Sequence, residues 1–290
     1  MPVINSVTNL DERFSSKVVE TLRSNTLLIP GVTYNSDYVG EAAGAISVSF
    51  HVPASAAVAA GAIGGDYSST EYADSVVQVN ICNAFRQSKK VRNVADDATG
   101  FPMIETAFRE ATEDVREGRD LGALAAMVNG GTAGSSTELT ASNIKAEILG
   151  EITAIKTVKG RPDVIIGSPA TTALLLQAFP SGFTPEMNDE MTKAGSLGRI
   201  YGCSYIENEQ LGAAGNNAVA LNTAIGTAVS GGVDISGVPF IVYDHRFFAM
   251  VNDLAEARVA QSENFAGVKA NIEDNVGYKV LRANCLRYHQ

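Results

Sequence analysis

AAGAISVSFHVPASAAVAAGAIGG, Ala42 to Gly65, runs between Glu41 and Asp66 without one Asp, Glu, Lys or Arg. It is long enough to cross a bilayer, but Pro53, His51, the interspersed glycines and serines and the shortage of large aliphatics weigh against a membrane span. A fusion peptide would sit near a terminus or a cleavage site. Inside the stretch, Ile46, Val48, Phe50 and Val52 alternate with Ser47, Ser49 and His51, the period-two pattern of a half-buried strand. Beyond Pro53 the Ala/Gly-rich remainder, which includes Ile63, has little to pack with on its own. Val76, Val77, Val79 and Ile81 read as a returning strand, so the uncharged stretch becomes one side and the loop of a long hairpin. An isolated hairpin of that length is marginal in water, which predicts support from another protein surface.

On the N-terminal side, FSSKVVETLRSN places Phe14, Val18 and Leu22 on one helical face, and TLLIPGVTYNSDY reads as extended and Pro/Gly-punctuated. The segment resembles an arm more than a domain. On the C-terminal side, the polar RNVADDATG leads to Pro102 at a first-turn position, with Glu105 near the positive helix end. Ile104, Phe108, Ala111, Val115, Gly118, Gly122 and Ala125 then recur every three or four residues, predicting one long helix. Two glycines on its apolar stripe lower helix propensity and predict the close approach of another element. The pairs Glu105/Arg109, Arg109/Glu113 and Arg116/Asp120 suit a solvated helix face. Ile144, Ile148, Ile152, Ile155 and Val158 mark a second helix ended by Gly160 and Pro162. Val164–Ile166 predicts a buried strand, and Ser168-Pro169 the cap and first position of a third helix. Further strands are expected at 218–221, 239–243 and 276–281. With no internal repeat and no clean linker, the chain reads as interleaved lobes of one α+β fold.

The 290 residues carry 32 acidic and 22 basic side chains, a balance that disfavours tight, specific nucleic-acid binding. Cys82, Cys203 and Cys285 are far apart, without CxxC or metal spacing, which speaks against a disulfide framework and for a reducing compartment. MPVINSVTNLDERF lacks the basic-then-apolar order of a signal peptide. Chemistry has few places to reside. A triad would need His245, whose chain neighbour Asp244 points to the other side of a strand and orients it poorly. AGAIGGD lacks a dinucleotide-site context, and no GxxxxGK[ST] occurs. Cys203 has no evident base. Lys89, Lys90 and Arg92 form the one local basic cluster, without interleaved aromatics, and suit acidic groups on a neighbouring subunit. No catalytic, cofactor-binding or metal-binding residue is therefore expected.

The order of elements resembles the major capsid proteins of tailed bacteriophages, the HK97-like fold. RPDVIIGSPATTALLL is similar to the strand and helix that open that family's A-domain. GRIYGCSYIENEQL, with Gly198, Gly202, Ile206 and Leu211, is similar to its turn into a strand, and NIEDNVGYKVLRANCLRY to its last P-domain strand. The resemblance implies an N-terminal arm at 1–38, an E-loop with flanking strands at 39–88, a P-domain with its spine helix at 89–161, an A-domain at 162–238 and a return to the P-domain at 239–290. It further implies a non-enzymatic subunit that self-assembles into hexamers and pentamers of an icosahedral head around non-specifically held double-stranded DNA. Scaffolding, portal and decoration proteins would be partners, no membrane would be involved, and assembly would take place in the bacterial cytoplasm. Candidate inter-subunit contacts are Phe14, Val18, Leu22, Ile46, Val48, Phe50, Val52, Ile63, Lys89, Lys90 and Arg92. Some members crosslink through an E-loop lysine, but no lysine lies between Lys17 and Lys89, which predicts a non-covalent loop. No long N-terminal extension of the fused-scaffold kind is seen, so a separate scaffold or none is expected. The alternatives are an encapsulin-like nanocompartment shell and, in a different class, a soluble hydrolase using His245 and Asp244.

Overall fold

The computed structural model describes residues 26–36, 46–53, 74–92, 103–178, 198–261 and 266–290. The opening stretch supplies β1 (Ser47–Pro53), paired antiparallel with β2 (Asp74–Asn80) so that Val48 faces Val79 and Phe50 faces Val77. The returning run is not one strand. It breaks at Ile81–Cys82, and β3 (Asn83–Arg92) joins a different sheet, pairing with β12 (Gly267–Val280), which pairs in turn with β11 (Phe248–Gln261). The 276–281 strand is thus the end of a far longer one, and β11 has no counterpart among the strands expected from sequence. Its sequence opens with the apolar run Phe248–Val251, but Asn252, Asp253, Glu256 and Arg258 break the alternation that follows.

The covered face of that sheet lies against α1 (Met103–Gly130), the long helix expected from the three-to-four-residue repeat. Ala111 and Val115 meet Ile272 there, beside Phe85 and Phe108. The two stripe glycines do admit a neighbour. A Cβ on Gly122 would lie 2.7 Å from Phe85 Cζ, and one on Gly118 would lie 3.2 Å from Phe85 Cδ1. The residues that lower helix propensity therefore let helix and sheet close to aromatic contact.

The second layer is a six-stranded mixed sheet in the order β4 (Thr132–Ala133), β13 (Leu286–Tyr288), β10 (Phe240–Tyr243), β5 (Val164–Gly167), β7 (Cys203–Glu207), β6 (Arg199–Ile200). β5 and β10 are buried at every residue, which is why they read as continuous apolar runs without alternation. On one face, Ile144, Ile148, Ile152 and Ile155 of α2 (Ile144–Thr157) and Leu175 of α3 (Pro169–Ala178) pack on Ile165, Phe240 and Val242. On the other, Val164, Ile166, Ile241 and Tyr243 meet Leu124 and Met127 of α1 together with Phe248 and Tyr278 of the long hairpin. Ser168 caps α3 as its sequence predicts, accepting from Thr171 N at 3.3 Å. Val158, assigned to the apolar face of α2, is instead the exposed cap residue just past its C-terminal end. The 218–221 run is a single bridge between Val219 and Val233, followed by the small ribbon β8 (Asn222–Ala224) and β9 (Thr227–Ala228). Among the described residues no helix is long and apolar enough to cross a membrane.

Candidate assembly surfaces

The β1–β2 hairpin has two unlike faces. Val48, Phe50 and Val79 are buried against Ala249 and Val251 of the same chain, with Val52 partly covered. Ile46 and Val76 remain 67% and 56% exposed. Alternation in the opening stretch therefore records contact with the chain's own long hairpin, while Ile46 and Val76 are the apolar groups offered outward. Phe14, Val18, Leu22 and Ile63 lie outside the described residues.

Lys89, Lys90 and Arg92 all belong to β3, where alternation separates them. Lys89 turns to the helix side and forms a 2.8 Å ion pair with Asp114 of α1 within the same chain. Lys90 points to the open face and is exposed. The side chain of Arg92 lies outside the described set. Sequence adjacency thus makes no single basic cluster, and the two lysines serve different surfaces.

Residues 26–36 form a strap over the junction between the two layers. Leu27, Leu28 and Tyr34 are buried in the main core. Asn35 N donates to Phe248 O at 2.8 Å, and Tyr243 Oη donates to Thr33 O at 2.8 Å. The strap also corrects the solvated-face reading of Arg116/Asp120. Asp120 is fully buried under it, accepting from Leu27 N at 3.1 Å and from Arg116 Nη1 at 3.4 Å. Burial pushes its carboxyl above the ordinary range, against the opposing pull of the Leu27 N–H and of Arg116 and Arg119. A second buried carboxylate, Asp274 on β12, pairs with Arg119 at 3.1 Å and is likewise raised, chiefly by burial.

The residues proposed for hydrolysis do meet chemistry-bearing neighbours, though not as a triad. His245 Nδ1 bonds Asp163, a residue 82 positions away that sequence reasoning did not single out. Asp244 is fully buried and occupied on both oxygens, by Arg161 N at 3.0 Å and by Arg246 Nε at 2.8 Å and Nη2 at 2.5 Å. Burial pushes Asp244 up, and these hydrogen bonds outweigh it, leaving the carboxyl below its ordinary range. Ligand atoms of Asp163, Asp244 and His245 fall within 4.8 Å of one another, but a cation would have to displace Arg246. The neighbouring thiols make poor nucleophiles. Burial, then the charge of Asp163, raises Cys203; burial, then Asp244, raises Cys285. The arrangement is a charge network that ties the turn before β11 to the start of β5.

No protein-family model matches the chain, and no curated protein matches it in sequence. Solved structures do match over nearly its whole length. A chain in a structure of Mycobacterium phage Che8 aligns with a TM-score of 0.73 at 16% identity, covering 96% of each chain. One from the capsid structure of the cyanophage P-SCSP1u aligns with a TM-score of 0.71 at 13% identity, covering 98% of this chain and 93% of that one. A chain from the capsid of an empty GTA particle gives 0.63 at 12% identity, covering 99% and 96%. The fold is therefore the HK97-like fold of phage-type shells.

Proposed function

We propose that this chain, with the HK97-like capsid fold as its premise, is a structural subunit that assembles with copies of itself into a phage head. The observation that carries the reading is the match to chains of capsid structures over nearly the full length of both partners, 98% of this chain and 93% of the other in the P-SCSP1u case. Ile46 and Val76 support it, since two apolar groups held out from the core at opposite ends of a short two-stranded hairpin suit a neighbouring surface. On this reading the arm, E-loop, P-domain and A-domain fall at the boundaries the resemblance implies. The subunits form hexamers and pentamers of an icosahedral shell around double-stranded DNA, without lysine crosslinks in the E-loop. Scaffolding, portal and decoration proteins are its further partners, and assembly takes place in the bacterial cytoplasm. Many weak contacts per subunit suffice, because each contact raises the effective concentration for the next.

Negative-stain microscopy with sedimentation velocity tests this. Closed shells, rings or tubes are expected from purified protein. A monodisperse monomer across salt and protein concentration would overturn the reading.

A further inference from the structure

One end of the open face of the three-stranded sheet has a charge opposite to that of the chain. Antiparallel partners project to the same side, so the register places Arg86, Ser88 and Lys90 of β3 beside Glu273, Asn271 and Lys269 of β12, with Arg258 and Ala260 of β11 next in line. The cations gather at one end of this face, where Lys90, Lys269 and Arg258 meet no carboxylate in the register, whereas Glu256 is paired with Glu273 and Asp253 with Asn275 further along. The whole chain has an excess of ten acidic groups. Glu273 is engaged by Arg86 at 2.7 Å, and Ser88 Oγ donates to Asn271 Oδ1 at 2.6 Å. Between these pairs and Arg258 runs a groove of about 300 Å³.

The relation between Lys90 and Lys269 carries the inference. They stand directly opposite one another in the register, and neither has an ion pair among the described residues. Like charges at directly opposed positions destabilise a sheet. Lysines on an edge strand deter unwanted pairing, which accounts for Lys90 on β3. That explanation does not reach Lys269, because β12 is the central strand of the three. Within the subunit, this pairing works against the fold. An acidic surface laid over the face would reverse its sign.

We infer that this basic end of the sheet, with Lys90 and Lys269 opposite one another, docks the carboxylates of a second copy of the chain. The inference rests on the assembly reading above. A copy is the partner with matching charge, since acidic residues outnumber basic ones 32 to 22. Nucleic acid suits the face less well, because Glu273 would meet a closely spaced row of phosphates.

The test compares full-length wild type with Lys269→Gln and with the double variant Lys90→Glu/Lys269→Glu, by sedimentation velocity at low and high NaCl. Lys269→Gln removes the like-charge pair, so the isolated subunit should melt at the same temperature or higher while its assembly weakens about tenfold, one cross-subunit ion pair's worth. The double variant should abolish assembly at concentrations where wild type assembles, and wild-type assembly should weaken as salt rises. Wild-type-like assembly of Lys269→Gln overturns the inference, and so does loss of binding to a labelled DNA duplex with assembly intact. Wild type that does not assemble at all overturns the assembly reading itself, a separable result.

Discussion

The backbone of Gly277 on β12 lies so close to Asn80 that a Cβ added there would stand 2.4 Å from the Asn80 carbonyl oxygen. The β1–β2 hairpin meets the long sheet at this point, and the obstructing atoms are main chain, which cannot rotate away. Gly277→Ala should push the hairpin base off the sheet and destabilise the subunit by about 1–3 kcal/mol, the usual range for overpacking. Urea unfolding of the isolated subunit measures this; an unchanged midpoint would show that the junction yields freely.

The two faces of the same hairpin should separate stability from assembly. Phe50 is buried on Ala249 and Val251, so Phe50→Ala should lower subunit stability by about 3–5 kcal/mol. Val76→Ser, on the exposed side, should leave the melting temperature within a degree or two, about what a neutral surface substitution does. On the assembly reading it should still reduce shell yield. Equal loss of stability in both variants would contradict the assignment of faces.

Asp120 and Asp244 should bend the pH profile in opposite directions. Asp120 has a raised folded pKa, so its favourable contribution is complete below the unfolded carboxylate value of about 4 and is lost as pH rises through the folded one. The stability of Asp120→Asn relative to wild type should therefore increase as pH goes from acidic to neutral. Asp244 has a depressed folded pKa, so its contribution is present above about 4 and is lost as pH falls through the folded value. The penalty of Asp244→Asn should accordingly shrink on acidification. Unfolding free energies of the two variants across that range check both signs, and parallel profiles would refute the assignment.

Tyr243 ties the strap to the mixed sheet through Thr33 O. Tyr243→Phe removes that hydrogen bond and leaves a buried carbonyl unpaired, at a cost of about 1–3 kcal/mol. Hydrogen exchange should quicken first at residues 26–36, because Leu27 and Leu28 lose a neighbouring anchor while the sheet core is untouched. Uniform quickening across β5 and β10 would place the effect in the core instead.

Local signals were legible where one residue type has one physical job. Ser168-Pro169 announces a helix start, the isoleucines of α2 repeat at helical spacing, and Gly118 and Gly122 announce a close neighbour before Phe85 is known. β11 was hidden because the apolar run that opens it, Phe248–Val251, is short and Asn252 to Arg258 then breaks the alternation. Asp120 was misread because an i,i+4 ion pair looks the same on a solvated face and beneath a strap that crosses from 93 residues away. Among the assembly candidates, Lys89 and Lys90 are neighbours in sequence but reach opposite faces of β3, one to Asp114 and the other to the open sheet.

By itself the sequence determined the three helices, the buried strands β5 and β10, the acidic balance and the uncharged hairpin, because these follow from spacing and composition within a few turns of chain. Only the tertiary structure decided which side of each element faces inward. It turned Val48 and Phe50 onto the chain's own sheet and left Ile46 and Val76 outside. It placed Lys90 opposite Lys269 across 179 residues of sequence. The physical reason is that burial and charge pairing depend on which segments become neighbours in space, and strand register, set over the whole chain, determines that.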